Sequence, residues 1–545
     1  MGLGASSSRE QNVSAEQREV ESLAASIGAL PMLQNVFPKL VNPQINAIPL
    51  QSLQQCFSLN YENLICEPPS MADSFRGLLD HLGSSVADLF FIPAKGGLSW
   101  VDLVRGYVKC CGRLPALVSL NTLLRLFAIT FTRAGLPLKL EFESDDADCK
   151  ISGSLRPIDV LMIFWMCWTM LWYTRTPKLS KGKAELCLPD VNHLVLSAVM
   201  SCAGVDSDLN VWDCNISDLH TQIPVGKFLT WTLTTVPNLI DCFTQFVHAR
   251  LQRSVASEDA SDTSSLGEIS STKAQYTYLL SPGRAWALSL AIRSSISEEI
   301  LKLCSPIGSV ETEENILYRS TLHGRGLNRF WSKIEGYHSP LLILVSANSG
   351  NALEGDTSVK NWIIGALIQE GFENKDAFYG SSGSLYAISP IFYVFLPSGK
   401  EKNFVYSHVH PTGKVYEAHP KPVGIAFGGT IGNERIFIDE DFDRVTVRHH
   451  AVDKTYRPGS LIPHQGFLPV ESLITEVEVW GLGGRTAKQA QMSYKKREEL
   501  FTEQRRKVDL KTFANWEDSP EKLMMDMLSD SRPSRTRRED PRPIM

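Results

Sequence analysis

The last third of the chain constrains the fold most. Around Gly428 it reads A-F-G-G-T-I-G-N-E-R-I-F-I-D, a tight glycine turn followed by a run in which Ile436 and Ile438 alternate with Phe437 and Asp439. Further on, F-L-P-V-E-S-L-I-T-E-V-E-V-W-G sets Ile474, Val477 and Val479 among Glu476 and Glu478. Successive side chains of a strand point to opposite faces, so alternation marks a half-buried antiparallel strand, whereas parallel strands read as unbroken apolar runs. Apolar segments at 341–346, 362–368, 391–396, 403–407 and 423–427, punctuated by Gly and Pro, extend the pattern. Together they predict a two-sheet antiparallel β-sandwich with flanking helices.

Upstream the texture is helical. Segments 116–134 and 191–203 have helical length and apolar spacing, and Gly135-Leu136-Pro137 stops the first. The run P-I-D-V-L-M-I-F-W-M-C-W-T-M-L-W, which starts at Pro157, is too short and too interrupted by Asp159 to span a bilayer, which takes roughly twenty apolar residues. It reads as a buried core helix, with Trp165, Trp168 and Trp172 on one face against a neighbouring helix. The fold class is therefore α+β. A flexible N-terminus (1–15) precedes an all-helical domain (16–250). A Ser-rich acidic linker (251–275) leads to a strand-rich domain (276–484) that opens with helix over 284–303. A charged C-terminal helix (485–512) and a disordered tail (513–545) complete the chain. Its 545 residues exceed a single ordinary core.

Residue chemistry argues against an enzyme. The acidic loop 144–148 fails as a calcium site: counted from Asp146, the fifth, sixth and twelfth positions are Lys150, Ile151 and Pro157. Degenerate EF-hand-like helix pairs stay open as an architecture. The eleven cysteines all lie between Cys56 and Cys304 without zinc spacing, and no secretory leader is expected, which suits free thiols in a reducing compartment. His408, His410 and His419, and the pair His449-His450, lack a cysteine nearby to complete a metal site. The run Asp439, Glu440, Asp441, Asp443 reads as a solvated loop rather than an acid/base pair. Gly380-Ser381-Ser382-Gly383 lacks the spacing of a nucleophile elbow, and 481–484 is a hinge and helix lead-in without the context of a phosphate loop. No catalytic, cofactor-binding or metal residue is assigned and no cofactor is expected. The net charge of −6 gives no electrostatic case for nucleic acid.

The start M-G-L-G-A-S fits N-myristoylation of Gly2. One acyl chain holds a protein to a bilayer only marginally, and Arg9 is the single cation nearby, so a second contact is required.

Leu317 to Ser320, Gly324-Arg325-Gly326-Leu327-Asn328-Arg329-Phe330, Trp362 to Ala366, Phe378-Tyr379-Gly380, Phe392 to Phe395, Asn403 to Tyr406, Gly428-Gly429 and Glu476 to Trp480 resemble, in order and spacing, the TLDc domain of the oxidation-resistance proteins. The stretch 443–460 departs from the family pattern in having no cysteine, which removes support for redox chemistry there. With the Gly2 start, the helical half and the helix after the domain, the whole resembles the myristoylated lysosome- and vacuole-associated members, and the composition looks plant-like. That resemblance implies a non-enzymatic regulator or adaptor of the vacuolar proton-pumping ATPase (V-ATPase), in the cytoplasm and peripheral on a vacuolar, lysosomal or other endomembrane. Two alternatives follow from weaker features: an oxidative-stress-protective protein of the oxidation-resistance type, or a nuclear or nucleolar partner-binding protein, the latter from the basic clusters 495–497 and 505–507. From Arg485 to Lys511 there are nine basic and four acidic residues and few apolar ones. Such a helix cannot bury a wide face. It should project or dock loosely after the 481–484 hinge, with Leu500 and Phe501 as apolar anchors and Arg497 and Arg505 beside them as partner-binding residues.

Overall fold

A computed structural model describes residues 14–59, 61, 63–93, 96–175, 185–204, 209–255, 278–303, 315–349, 360–409 and 420–516, with 522 and 524. Gly2, residues 256–275 of the expected linker, His410, His419, Cys304 and nearly all of the expected tail lie outside the described residues.

The N-terminal half is helical: α1 (Ala15–Ser26), α2 (Leu30–Leu40), α3 (Leu50–Phe57), α4 (Ala72–Phe90), α5 (Trp100–Cys111), α6 (Ala116–Arg133), α7 (Pro157–Arg175), α8 (Asn192–Cys202), α9 (Val225–Thr235) and α10 (Asp241–Val255). Short strands lie between them: β1 (Asn63–Ile65), β2 (Lys139–Phe142), β3 (Ile151–Leu155), β4 (Glu185–Cys187) and β5 (Ile223–Pro224). Local chemistry sets the helix ends. Ser99 and Asp102 form a reciprocal capping box at the start of α5. Gly135, at φ +73°, lets the Leu136 N–H reach back to the Phe131 carbonyl (2.8 Å) and ends α6. The expected core helix is α7, buried almost all round. Its tryptophans do not share one neighbour: Trp165 meets Phe75 of α4 edge-on, whereas Trp168 meets Trp286 further along the chain. Among the described residues no single helix is long and apolar enough to cross a membrane. The connections α6–α7 (134–156) and α8–α9 (203–224) join through antiparallel pairing of β3 with β5. This keeps a helix–loop–helix order, but with connections much longer than a twelve-residue calcium loop.

After α10 come α11 (Pro282–Ala291), α12 (Ile296–Leu303), β6 (Ile316–Arg319), α13 (Ser320–His323) and α14 (Leu327–Ile334). The strands follow: β7 (Leu341–Ser349), β8 (Lys360–Ile368), β9 (Lys375–Tyr379), β10 (Gly383–Ser389), β11 (Tyr393–Phe395), β12 (Val405–His408), β13 (Gly424–Thr430), β14 (Asn433–Asp439), β15 (Arg444–Val447) and β16 (Val470–Gly481). Helix α15 (Gly484–Trp516) ends the described chain apart from 522 and 524. The antiparallel α+β architecture is as expected from sequence, with one correction. The two sheets are a single hydrogen-bonded path, β11-β10-β8-β7-β16-β15-β14-β13-β12-β9, with β6 also on β16. Twelve-residue β16 joins its halves, pairing with β15 at its start and with β7 and β6 at its end. The sheet curls so that Ile343 and Val345 of one half share a core with Ile425, Ile436 and Ile438 of the other.

Strand composition explains what covers the outside. In β7 both alternating sets are apolar. Leu341, Ile343 and Val345 face the inner core, while Leu342 and Leu344 join the core of the helical half. Ile363, Leu367, Tyr386 and Ile388 do the same from β8 and β10. At Gly365 an added Cβ would lie 3.0 Å from Leu344 and 3.1 Å from Ile388, so the outer face is tightly packed there. Glu478 is also on the buried outer side, with no exposed surface. Its carboxylate accepts the N–H groups of Leu279 (2.9 Å) and Leu280 (3.3 Å) and the Trp480 indole N–H (3.0 Å). Arg319 lies 3.6 Å away and donates to Glu476. Burial, reinforced by the Glu476 charge, raises the Glu478 carboxyl to about 7.

The long connection 448–469 is pinned from within. Buried Arg435 donates to Asp453 (2.8 Å) and to the carbonyls of Arg457 (2.7 Å) and Gly459 (2.8 Å), and its guanidinium sits 4.4 Å over the Phe395 ring. Asp453 in turn accepts the N–H groups of Thr455 and Tyr456, and Gln465 donates to the Val447 carbonyl (2.8 Å).

Two outcomes follow from these buried charges. The folded chain keeps a proton on Glu478 that the unfolded chain has released above its ordinary carboxylate range, so stability falls as pH rises from about 4.5 to about 7. Denaturant unfolding across pH 4.5–8 should lose a component worth about 1–3 kcal/mol of that decline in Glu478→Gln. Asp453→Ala strands Arg435 in the core and should cost about 3–5 kcal/mol, with part regained in the Arg435→Met, Asp453→Ala double variant. Equal stability of wild type and Asp453→Ala would refute the pinning role.

Candidate functional site

The C-terminal helix is where the sequence places the partner-binding residues, and its base is built by close approach. Gly481 and Gly483 are required by contact, because a Cβ at Gly481 would meet the Tyr337 hydroxyl at 2.7 Å and one at Gly483 would meet Ser339 at 2.5 Å. The Leu482 N–H donates to the Pro340 carbonyl (2.8 Å) and the Gly483 N–H to the Tyr337 hydroxyl (2.8 Å). The expected hinge is therefore a close-packed joint. Gly484, at φ +65°, turns the chain into α15.

The first turns of α15 lie on the end of α14. Ala487 and Gln491 are buried. Gln491 donates to the carbonyls of Lys333 (2.8 Å) and Glu335 (3.1 Å), and the Lys495 ammonium donates to those of Ser332 (3.0 Å) and Lys333 (3.1 Å). These side chains satisfy carbonyls that a helix C-terminus leaves open, and the Lys495 charge suits the negative end of the dipole. The Tyr494 ring lies over Gly336, at φ +77°, where a Cβ would approach it to 2.3 Å. Neither Gln491 nor Tyr337 stands out in the sequence, because each acts through backbone groups that only the fold brings near.

From Lys496 to Val508 every residue is exposed. Arg497, Phe501 and Arg505 recur at i, i+4 and i+8, so they share a helical face, and Leu500 flanks it. Leu500 and Phe501 are 51% and 58% exposed, well above what a docked helix would leave. A groove of about 710 Å³ runs between the end of α14 and the free part of α15, with Ser332 and Glu335 on one wall and Lys496, Leu500, Glu503 and Arg506 on the other. Of the four residues singled out from sequence, Leu500 lines this groove.

Other chemically suggestive groups are tied into the fold. Asp439 accepts the N–H groups of Asp443 (2.9 Å) and Arg444 (3.1 Å), Asp443 pairs with Arg325 (3.2 Å), and the Glu440 carbonyl accepts the Leu327 N–H at the start of α14. Burial raises the Asp439 carboxyl. His449 stacks on Phe467 at 4.9 Å, and His450 stands 3.7 Å from Asp453. Gly380 to Gly383 is the turn between β9 and β10. Burial pushes the Cys202 thiol up to about 11 and those of Cys111 and Cys242 up to about 12, so these are poor nucleophiles. Among the described residues no group of three or more His, Cys, Asp or Glu could hold a metal ion.

Comparison with curated proteins gives no match. Comparison with protein families gives one domain, of a kind that is generally non-catalytic. Its interval begins at Ile292, just after α11, and ends at Gly483, in the joint below α15. Residues 292–483, which hold the whole eleven-stranded sheet, match the family model of the TLDc domain.

Proposed function

We propose that this chain is a non-enzymatic regulator or adaptor that binds the vacuolar proton-pumping ATPase on the cytosolic side of an endomembrane. The observation that carries the reading is the form of α15, anchored on the TLDc domain through Gln491 and Lys495 and exposed from Lys496 to Val508. A helix anchored at one end and exposed beyond presents its side chains with little ordering cost on binding. Phe501 and Leu500 supply apolar anchors. Arg497 and Arg505 speed encounter with an acidic partner surface and fix its register. A myristoyl group on Gly2 would keep the chain near the membrane, weakly by itself.

Gln491, Tyr494 and Lys495 belong to the domain's own packing, so removing the whole helix would also disturb the domain. A chain ending after Lys496 keeps those contacts. Affinity purification from intact membranes, with Gly2 left free, should recover pump subunits with the full chain and at least roughly tenfold less with the shortened one or with Leu500→Ser, Phe501→Ser. Both variants should unfold within about 0.5 kcal/mol of wild type, because the altered residues are exposed. Equal recovery would remove the contact role of α15, and the absence of pump subunits from the full-chain sample would remove the functional reading. Gly2→Ala should reduce the membrane-bound fraction without affecting recovery from detergent extracts.

A further inference from the structure

A second surface lies at the other end of β16. Register brings three connections together there. Thr430 pairs with Asn433 across the Ile431-Gly432 turn, Ile436 pairs with Val447, and Val447 pairs with Val470. The β13–β14 turn and the 448–469 connection therefore share one end of the sheet. The third connection, 397–403, is tied to both. Ser398 and Glu401 donate their N–H groups to the carbonyls of Thr455 and Lys454, and Asn403 donates to the Gly429 carbonyl (2.8 Å).

The side chains at this end are of two kinds. Large apolar groups are exposed: Ile431 is 43% exposed, Phe467 75% with one ring face on His449, Leu468 81% and Val452 86%. Single exposed apolar residues are ordinary on a protein surface. Here Phe467 and Leu468 are adjacent on a tip between Gly466 and Pro469, all four residues are exposed, and the connection that carries them is pinned by buried Arg435 and Asp453. The second kind is cationic. Lys400, Lys402 and Arg457 are exposed and have no ion pair among the described residues. Nearby carboxylates are already committed: Glu401 to Lys454 (3.1 Å), Glu434 to Arg448 (3.4 Å), Asp453 to Arg435, and Glu471 loosely to Arg444 (3.8 Å).

From this juxtaposition we infer that the end of the sheet formed by the 397–403, 430–433 and 448–469 connections docks on an anionic lipid bilayer. Protruding Phe467 and Leu468 enter the headgroup–acyl boundary while Lys400, Lys402 and Arg457 meet lipid phosphates. Apolar tips beside unpaired cations match the two components of an anionic membrane surface, an apolar interior and a negative potential that falls off within a Debye length. The inference goes beyond the pump-binding reading and does not depend on it.

The test uses the full chain made without its myristoyl group, with vesicles of phosphatidylcholine containing phosphatidylserine and vesicles of phosphatidylcholine alone. Co-sedimentation should occur with the anionic vesicles and weaken as salt is raised. Lys400→Glu with Lys402→Glu, and separately Phe467→Ser with Leu468→Ser, should each weaken it roughly tenfold or more. Thermal unfolding of both variants should match wild type, as the substituted side chains are exposed. Sedimentation that is equal for wild type and both variants, or equal on neutral vesicles, overturns the proposal. So does a chain that never sediments while the same variants lose a protein partner, which would assign the face to that partner. The vesicles contain no pump, so failure here leaves the pump reading standing.

Discussion

The helical half rests on the outer face of β7, β8 and β10. Leu342, Leu344, Ile363, Leu367, Tyr386 and Ile388 belong to the core that starts at Val20, and Gly365 leaves room for them to close together. Apolar area removed from water on both faces makes this half of the sheet the common wall of two cores. Glu478 is placed in that wall. Its carboxyl group accepts the N–H groups of Leu279 and Leu280 and so ties the lead-in to α11 to β16. A buried carboxylate kept by three donors and a nearby guanidinium is costly to form and costlier to disrupt.

Because that wall is fixed on both sides, the elements leaving it are fixed too. β16 runs from the 448–469 connection at Val470 to the base of α15 at Gly481, a span of roughly 40 Å for an extended strand of this length. The two exposed surfaces, the bare part of α15 and the apolar-tipped loops, therefore lie toward opposite ends of a single strand. Each surface is supported by buried polar groups: Gln491 under the helix, Arg435 and Asp453 under the loops.

Much of the sheet was legible as periodicity. The segments at 341–346, 362–368, 423–427, 435–438 and 474–480 all became strands, since their apolar sets are long and regular. β6, β9, β10 and β15 were not legible. β15 has four residues, and β9 opens with two charged residues at a sheet edge, where pairing on one side only relaxes the need for an apolar set. Among site residues, the exposed positions on α15 follow from composition, because a helix with few apolar groups has no face to bury. Gln491, Lys495 and Tyr337 bond to backbone atoms far away in sequence, and no side-chain pattern records a backbone partner.

The sequence by itself determined the class of each region: helices first, antiparallel strands after, then a charged helix. Local periodicity and capping are properties of contiguous residues, so they survive without a fold. Only the tertiary structure decided that the strands join in one curled sheet rather than two, that the glycines after β16 lock a joint instead of freeing it, and that Glu478 is buried although the strand around it alternates like a solvated one. Each of these depends on what stands opposite, and the facing residues come from Leu279, Tyr337 and β7, separated from β16 by more than a hundred positions. Hydrophobic burial and buried-charge energetics are set by such neighbours, and a linear pattern carries no record of them.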